Sequence, residues 1–449
     1  MPDWFDYLKN AGFRLGKTEV NTDESRTAFQ RDYDRIIFFD AFRRLQNKTQ
    51  VLPVPKSDEV RNRLTHSLET ASVGRSLGFM AGKIILDKYP GLCSALNLRP
   101  DDFGYMVSAA ALAHDIGNPP FGHEGEKAVS RFFRSKKARK YLEGLTDKQI
   151  ADLQNFEGNA AGFRILAHTQ GNNAELRGGL RLSLGTYGAF VKYPKESLPV
   201  RKDEGKRSLK KFGIFQSEMP VFEELAGKLS LIEQHTSEGK AWKRYPLVFL
   251  TEAADDICYS VIDYEDGFHL GFIDAEKIKE RLFALAGLEE NELETYRKIN
   301  NDKQRVSFLR AYAINRLVKD VIQVFSDNEE AIVQGTFDKA LIEAIPQERK
   351  KVLLAVLDES IRKIYNHPAV LKNEAGGKTV IPFLLEKYLD AVFDPGYHKQ
   401  YFKLIPEGYK TGGNAYEKIL NVVMYVTSMT DRQAVDLFRN FSGIQLAEY

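Results

Sequence analysis

Two separate stretches carry residue types that bind divalent metal ions. His66 lies three residues after Arg63, and His114-Asp115 ends an apolar run that the Gly-Asn-Pro-Pro sequence at 117–120 interrupts. An aspartate at the end of an apolar helix is costly to bury in its ionised form unless it has a partner, and a cation is such a partner. The alternative is a helix-terminal pair that hydrogen-bonds to the backbone.

A polar stripe recurs at helical spacing in the segment that begins near Pro246. Its members are Glu252, Asp255, Asp256, Tyr259 and Asp263. Carboxylates on one helix face repel each other, so the stripe is either a solvated outer face or one side of a cation site. Imidazole suits Zn, Fe, Ni and Cu, whereas carboxylate suits Mg and Mn. Histidine and aspartate together predict a divalent ion that would lower the pKa of a bound water.

Helices must position these residues, because most of the chain has helical periodicity. The segments predicted as helical are 26–50, 60–86, 103–116, 246–264 with a stop at Gly267, 306–325, 347–365 and 415–440. The glycine- and proline-rich segment 171–215 predicts an irregular excursion with a short hairpin around 180–191. The predicted fold is therefore mainly α, with a small irregular or hairpin insertion.

Composition narrows the class of protein. The chain has 449 residues, of which 43% are hydrophobic, and its net charge is +2, so wholesale disorder is excluded. Two cysteines exclude a disulfide scaffold and fit a reducing compartment. The N-terminus has no signal-peptide pattern, and no apolar run reaches the ~20 residues of a membrane helix. We therefore expect a cytoplasmic protein without a membrane partner.

The order His66, His114-Asp115 and Asp255 resembles the signature of HD-domain metal-dependent phosphohydrolases. A closer resemblance is to the bacterial deoxyguanosine triphosphate triphosphohydrolases (dGTPases). The motifs that carry it are residues 42–51, 63–69, 114–123, 156–159, 252–257 and 429–432. Because they extend over nearly the whole chain, the resemblance implies a single helical unit over 1–449. Its HD core would cover about 60–270, and a helical part over 271–449 would complete the pocket and the oligomer contacts.

This resemblance implies a reaction and a metal site. A dNTP, with dGTP preferred, would be hydrolysed to a deoxynucleoside and inorganic triphosphate by attack at the α-phosphorus. A divalent ion, Mg²⁺ or Mn²⁺ or another transition metal, would be held by His66, His114, Asp115 and Asp255. Helical geometry alone would permit Asp256 in place of Asp255.

His123 resembles the catalytic histidine of the family. Glu126 follows it by three residues and is therefore placed to hydrogen-bond it and to tune its pKa. The histidine would either protonate the departing 5′-oxygen or activate water, and the sequence leaves both open. The alternative is a histidine that only caps the Pro-Pro-Phe-Gly turn.

The resemblance also implies substrate contacts. Arg63 and Lys192 would bind the triphosphate; the alternative for each is a solvated surface cation. Arg164 and Arg432 are weaker candidates of the same kind.

Sugar recognition follows from the same resemblance. Gln50 would hydrogen-bond the 3′-hydroxyl, and Val51 would pack under the sugar. Tyr259 would stack against the ribose where a 2′-hydroxyl would clash, and Asp263 would accept from the 3′-hydroxyl. An ordinary core tyrosine is the alternative for Tyr259.

Two basic stretches lie largely outside these motifs. They are Arg131, Arg134, Lys136, Lys137, Arg139 and Lys140, and then Arg201, Lys202, Lys206, Arg207, Lys210 and Lys211. Phe132, Phe133 and Tyr141 interleave with the first stretch, and such patches can bind a nucleic-acid backbone. The alternative is a solvated helix face and a solvated loop. The resemblance implies single-stranded DNA as a partner and a homo-oligomer such as a hexamer.

Two other functions remain open at this point. One is a different HD phosphohydrolase, such as a nucleotidase or a hydrolase of guanosine tetraphosphate. The other is a regulator that binds nucleotide or single-stranded DNA and whose catalysis is secondary; its DNA binding would weaken with salt.

Overall fold

The computed structural model describes residues 1–16, 25–51, 59–168, 179–198, 206–236, 238–410 and 412–444. Within these ranges the chain is mainly α-helical, with one two-stranded antiparallel sheet. The helices of the first half are α1 (Trp4–Leu8), α2 (Ala28–Ile37), α3 (Asp40–Arg44), α4 (Arg63–Lys88), α5 (Pro90–Leu96), α6 (Pro100–Ala113), α7 (Gly122–Arg134), α8 (Arg139–Leu142), α9 (Asp147–Gln154), α10 (Gly158–Ala167), α11 (Leu184–Phe190) and α12 (Met219–Lys228). The predicted mainly α fold class is confirmed.

The sheet and the remaining helices follow in order. They are β1 (Glu233–Gln234), β2 (Ala241–Trp242), α13 (Val248–His269), α14 (Ala275–Ala286), α15 (Glu290–Arg297), α16 (Asp302–Asp327), α17 (Glu329–Val333), α18 (Gln347–Ser360), α19 (Pro368–Phe393), α20 (Lys399–Leu404), α21 (Glu407–Lys410), α22 (Ala415–Ser428) and α23 (Asp431–Phe441). Short 3₁₀ turns lie at Leu45–Asn47, Lys136–Ala138, Arg207–Leu209 and Leu341–Ala344, and a π-helical turn at Ile361–Tyr365.

Helices α4, α6 and α13 pack together and form the centre of the larger core. Gly78 lets α4 approach α6 closely, since a Cβ there would lie 2.5 Å from the Phe103 carbonyl oxygen. Asn62 caps α4 by accepting a hydrogen bond from the Thr65 amide at 3.0 Å. The first turn of α4, the end of α6 and the second turn of α13 therefore meet at one end of this layer.

A second apolar core joins helices that are distant in sequence. Side chains of α7, α9 and α10 pack there against those of α19, α22 and α23. Phe133 of α7 and Tyr388 of α19 are both fully buried in it. The start of α7 is thus supported by the C-terminal helices. The division into a core over about 60–270 and a C-terminal part over 271–449 stays a prediction.

The hairpin predicted around 180–191 is wrong. Residues Leu184–Phe190 form α11, whose seven residues are all buried, and Ser183 caps it by accepting from the Thr186 amide. A short apolar run that is buried all round has no periodicity to separate a strand from a helix. The antiparallel pair lies instead at β1 and β2. Residues 171–178 and 199–205 of the predicted excursion lie outside the described residues.

Two predicted helix boundaries are also wrong, and one helix was not predicted. Gly267 lies inside α13 rather than ending it, and a Cβ there would lie 2.4 Å from Ile364 Cδ1, so the glycine permits close packing. The segment 415–440 is two helices, because Thr430 caps a new one. The long helix α19 was missed, since it contains Pro382.

No helix in the described ranges combines the length and apolar character required to cross a bilayer. Cys93 and Cys258 are both free thiols, the first exposed and the second buried.

Candidate functional site

Three predicted metal ligands converge where α4, α6 and α13 meet. His66, His114 and Asp255 each offer a ligand atom, and these atoms all lie within 4.8 Å of one another. Asp255 Oδ1 is 3.3 Å from His66 Nε2 and 3.4 Å from His114 Nε2. Two imidazoles and one carboxylate are a donor set that suits a divalent ion.

The orientation and charge of these side chains fit a bound cation. His114 Nδ1 lies 2.7 Å from the Ala111 carbonyl oxygen and donates to it, so the lone pair of Nε2 faces Asp255. Burial would raise the pKa of Asp255, but the charge of Lys192 holds it well below its ordinary value. A permanently anionic carboxylate therefore faces the two imidazoles. The backbone hydrogen bond considered for His114 exists, but it engages only one ring nitrogen.

Asp115 lies beside this trio in a different set of bonds. Its carboxylate accepts from Arg63 Nη1 and from Asn118 Nδ2, and its Oδ1 is 3.5 Å from His114 Nε2. Burial would raise the pKa of Asp115, yet the charge of Arg63 holds this pKa well below its usual range. The role of Asp115 as a fourth metal ligand stays a prediction. In the structure, Arg63 neutralises the charge of the Asp115 carboxylate.

The polar stripe of α13 is not a solvated outer face. Glu252 and Asp263 are only 2% and 1% exposed, and Glu252 is paired with Arg207 at 3.0 Å and Arg244 at 2.8 Å. Burial, with the neighbouring charge of Glu252, raises the pKa of Asp256 to about 7. Asp256 therefore sits among Glu252 and Arg207 and contributes no atom to the trio.

A cavity of about 380 Å³ opens above the trio. This volume is within the range of roughly 300–1,000 Å³ that small-molecule sites occupy. The predicted site residues that line it are Gln50, Val51, Arg63, His66, Asp115, His123, Asp255, Tyr259 and Asp263. The other three predicted residues do not line the cavity but lie against residues that do; they are His114, Glu126 and Lys192. The structure thus brings the predicted residues together, while their roles stay predictions.

His123 lies at the mouth of the cavity, where α7 begins. Its side chain is 75% exposed, and its Nδ1 is 3.0 Å from Glu126 Oε2. The chain enters α7 through Phe121 and Gly122, whose φ angles are 62° and 55°. A left-handed phenylalanine is strained, and such strain persists where surrounding contacts hold it. The Phe121 amide donates to Asp431 Oδ1 at 2.8 Å, which supplies one of those contacts.

Tyr365 of the π-helical turn completes the wall formed by Tyr259 and Asp263. Its ring stacks on Tyr259 with centroids 5.7 Å apart and planes 3° apart, and its hydroxyl donates to Asp263 Oδ2 at 2.7 Å. Burial raises the pKa of Asp263 to about 6. Tyr259 is 38% exposed, so it is not an ordinary core tyrosine. Sequence reasoning missed Tyr365, and no signal in its predicted helix marks it.

The predicted triphosphate cations differ in their positions. Arg63 lines the cavity beside Asp115, and Lys192 Nζ lies 2.6 Å from Asp255 Oδ2. Lys127 also lines the cavity. It was missed, although its position four residues after His123 on one helix face was a usable signal.

The two weaker cation candidates lie elsewhere. Arg164 is buried and donates to Glu218, Ser217, Glu417 and Asn421. Arg432 has an 80% exposed side chain near Asp436. Neither lines the cavity.

Two residues within the quoted motifs hold the cavity wall together. Lys48 is buried and donates to the carbonyl oxygens of Asn118 and of Thr427, the latter at 2.9 Å. Asp431 accepts from the Thr49 amide at 2.8 Å and from the Thr49 hydroxyl. Sequence reasoning assigned them no role, because nothing in the chain predicts that positions almost 400 residues apart meet.

Lysine side chains of the first basic stretch form ion pairs at the surface. Lys137 pairs with Glu386 at 2.9 Å and Lys140 with Asp390 at 2.6 Å. The interleaved aromatics Phe132, Phe133 and Tyr141 are 3%, 1% and 4% exposed. Those rings belong to the second core and are not free to stack on bases. DNA binding by this stretch stays a prediction.

The second basic stretch divides into several parts. Arg201 and Lys202 lie outside the described residues. Arg207 pairs with Glu252, and Lys211 pairs with Glu157 at 2.8 Å and lies 3.8 Å from Glu126. Two of its cations therefore point towards the site rather than forming a solvated patch.

Comparison with known proteins supports the same assignment. A model of the HD domain matches residues 63–159. A deoxyguanosinetriphosphate triphosphohydrolase-like protein of Synechocystis sp. is 41% identical over 445 residues, which cover 96% of this chain and 98% of the relative. A protein of the same description from Pseudomonas aeruginosa is 37% identical, with 98% and 99% covered. The deoxyguanosinetriphosphate triphosphohydrolase of Serratia proteamaculans is 32% identical, with 80% and 76% covered.

These matches extend over nearly the whole chain, and the signature residues of the HD domain converge in space. The resemblance noted in the motifs is confirmed. The chain is therefore a hydrolase that belongs to the deoxyguanosine triphosphate triphosphohydrolase family within the HD-domain superfamily.

Proposed function

We propose that this protein hydrolyses dNTPs, with dGTP preferred, to a deoxynucleoside and inorganic triphosphate. The observation that carries the proposal is the trio of His66, His114 and Asp255 at the base of a cavity that His123 also lines. Water would attack the α-phosphorus, the bond from phosphorus to the 5′-oxygen would break, and the 5′-oxygen would leave with a proton. The names of the relatives support this substrate class.

The predicted ligands are His66, His114, Asp115 and Asp255. A divalent ion bound there would make a bound water more acidic and neutralise phosphate oxygens. Carboxylate ligands favour Mg²⁺ or Mn²⁺, while the two imidazoles also suit other transition metals.

His123 is the residue that we propose to handle the proton. Its Nδ1 is held by Glu126 at 3.0 Å, so Nε2 is the ring nitrogen available to the substrate. The same geometry serves an acid that protonates the 5′-oxygen and a base that takes a proton from water. The exposed position of His123 at the cavity mouth supports contact with a bound nucleotide.

The residues of the cavity walls support a proposal in which different walls bind different parts of the substrate. Arg63 and Lys127 offer cations to the triphosphate, with Lys192 behind Asp255. Tyr259 and Tyr365 form the stacked wall on which the deoxyribose would pack. A 2′-hydroxyl would need room beside those rings, which supports a preference for dNTPs over NTPs.

Gln50, Val51 and Asp263 would complete the sugar contacts. The base would lie towards Val370, Asn373 and Glu374, which line the cavity from α19. Guanine presents its N1–H and 2-amino donors on one edge, so a carboxylate such as that of Glu374 can accept from both. This complementarity supports dGTP as the preferred substrate.

The direct test is a product analysis. Purified protein with Mg²⁺ or Mn²⁺ and dGTP should yield deoxyguanosine and triphosphate by ion-exchange chromatography. Formation of dGDP and orthophosphate, or no turnover of any dNTP, would overturn the proposal. The control is His235→Ala, at an exposed histidine that directly follows β1, which should retain full turnover.

A substrate panel separates the alternative functions. The four dNTPs, GTP, dGMP and guanosine tetraphosphate should be compared singly, and the dNTPs also in pairs. Faster turnover of dGMP or of guanosine tetraphosphate would favour a different HD phosphohydrolase. Salt-dependent binding of single-stranded DNA without dNTP hydrolysis would favour a regulator. Stimulation of one dNTP by another would reveal activation by a second nucleotide.

A further inference from the structure

A second charged pair lies against the His123–Glu126 pair. Lys211 belongs to the second basic stretch, for which the sequence leaves DNA binding and a solvated loop as alternatives, and Glu157 is the residue before α10. We infer that Lys211 and Glu157 are positioning residues that fix the Glu126 carboxylate and, through it, the tautomer of His123. This inference rests on the proposed function.

The contacts of Glu126 leave its carboxylate little freedom. Its Oε1 accepts from the Gly158 amide at 2.8 Å, while its Oε2 lies 3.0 Å from His123 Nδ1 and 3.8 Å from Lys211 Nζ. A Cβ at Gly158 would lie 2.7 Å from Oε1, so this approach requires glycine. Three chain segments therefore restrain this one carboxylate.

Lys211 is itself held in place by Glu157. Its Nζ donates to Glu157 Oε2 at 2.8 Å, and both side chains are mostly buried. Because Glu157 directly precedes Gly158, the same turn supplies a backbone donor to Glu126 and an anchor for Lys211. This arrangement couples the segment 206–211 to the start of α10 and to α7.

The charges around Glu126 explain why a cation is needed there. The groups that face it are His123 on its own helix, Lys211, Glu157 and, from α4, Arg63. Burial would raise the pKa of Glu126, but its hydrogen bond to His123 and the charge of Lys211 keep it below the ordinary value. Burial and the charge of Glu126 raise the pKa of Glu157 to about 7. Lys211 thus keeps Glu126 ionised beside a second carboxylate.

An ionised Glu126 accepts a hydrogen bond from His123 Nδ1–H, so the neutral imidazole keeps its hydrogen on Nδ1 and presents the Nε2 lone pair to the cavity. Without Lys211, two buried carboxylates would face each other and share a proton. Glu126 would then be neutral for part of the time and would no longer hold the hydrogen on Nδ1.

The tautomer of His123 can be measured without turnover. The full chain, free of metal and labelled with ¹⁵N-histidine, should show His123 mainly as the Nδ1–H tautomer, with the resonances assigned by their loss in His123→Ala. Lys211→Met should shift it towards a mixture of both tautomers, and Lys211→Arg should restore the original form. Lys210→Met, at the exposed neighbouring lysine, is the matched control and should leave it unchanged. An unaltered tautomer in a folded Lys211→Met protein would overturn the inference.

The pH profile of kcat/KM at saturating metal gives a second readout. Removing the cation makes Glu126 harder to ionise, so Lys211→Met should move the acid limb to higher pH and cost about tenfold at pH 6. Removing the like charge makes Glu126 easier to ionise, so Glu157→Gln should move that limb to lower pH. Shifts in the same direction, or none, would overturn the inference. If the wild-type protein hydrolyses no dNTP, the proposed function fails while the NMR result still decides this inference.

Discussion

The predicted metal ligands and the His123–Glu126 pair face one cavity but are held in different ways. His66, His114 and Asp255 stand on three long helices of one core and lie directly against each other. His123 stands at the first turn of α7, where Glu126, three residues on, holds its ring and the distant Asp431 holds the preceding turn. The first set depends on helix packing, and the second depends on side chains that reach across the molecule.

Exposure follows the same division. His66 is 1% exposed, whereas the side chain of His123 is 75% exposed. Buried ligands on packed helices keep their positions through the bulk of the core. An exposed histidine keeps its position only through specific bonds, here from Glu126 and from the turn that Asp431 holds. The two halves of the site should therefore respond differently to substitution.

The largest effect is expected at the metal side. His114→Ala removes one of three clustered ligands, so bound metal and turnover should both fall by more than about 100-fold, since even outer partners of a ligand cost 10–100-fold. Metal content of the purified protein by mass spectrometry and the rate of dGTP hydrolysis measure the two quantities. Stoichiometric metal in this variant would contradict the ligand assignment.

Substitution of His123 should separate the two halves of the site. His123→Ala should lower turnover by about 10²–10⁴-fold, the usual contribution of an acid or base, while metal content stays at the wild-type level. The same mass spectrometry and rate assays apply. Loss of metal together with turnover would show that the two sets of residues are not held independently.

Loss of the distant support should have a smaller effect. Asp431→Asn keeps one acceptor oxygen and loses the one that binds the Thr49 amide and hydroxyl. The free energy of unfolding should fall by about 2 kcal/mol, as for hydrogen bonds to a charged group, and kcat/KM should fall about tenfold with metal content unchanged. Denaturant unfolding and the dGTP assay measure these changes.

Asp436→Asn is the matched control, because Asp436 lies on the same helix with a half-exposed side chain. It should change neither stability nor turnover. Equal losses in both variants would assign the effect to α23 in general rather than to the bonds of Asp431.

The last effect is a pH dependence of stability at Lys48. Burial lowers the pKa of Lys48 from 10.5 to about 7, so between these values the unfolded chain binds a proton that the folded chain releases. The contribution of this group to stability is therefore present above pH 10.5 and is lost as pH falls through 7. Lys48→Met should remove this contribution to the rise in the free energy of unfolding between pH 7 and 10. Urea unfolding at several pH values measures this change. A slope equal to that of the wild-type protein would contradict it.

The same division explains what the sequence could predict. His66, His114 and Asp255 were identified because they match the ordered signature of the family that the chain resembles; helical periodicity alone left Asp255 and Asp256 both open. Glu126 was found because three residues on a helix lie on one face. Lys48, Asp431 and Lys211 received no role in the site, since their partners are distant in sequence and periodicity carries no information about such contacts.

Fold predictions failed for related reasons. The residues of α11 are apolar and buried on every side, so neither a period of two nor of 3.6 is visible. α19 contains Pro382, and the cost of an internal proline is offset there by packing of Leu384, Leu385 and Tyr388 in the second core. Tertiary packing decided both elements, and a single chain does not display it.

Hydrolysis of dGTP in H₂¹⁸O tests the central claim most directly. Attack by water at the α-phosphorus, with departure of the 5′-oxygen, should place the ¹⁸O label in the inorganic triphosphate and leave the deoxyguanosine unlabelled, as read by mass spectrometry. Label in the deoxyguanosine would mean cleavage at carbon, and label in orthophosphate would mean attack at the γ-phosphorus. Either result would contradict the proposed reaction.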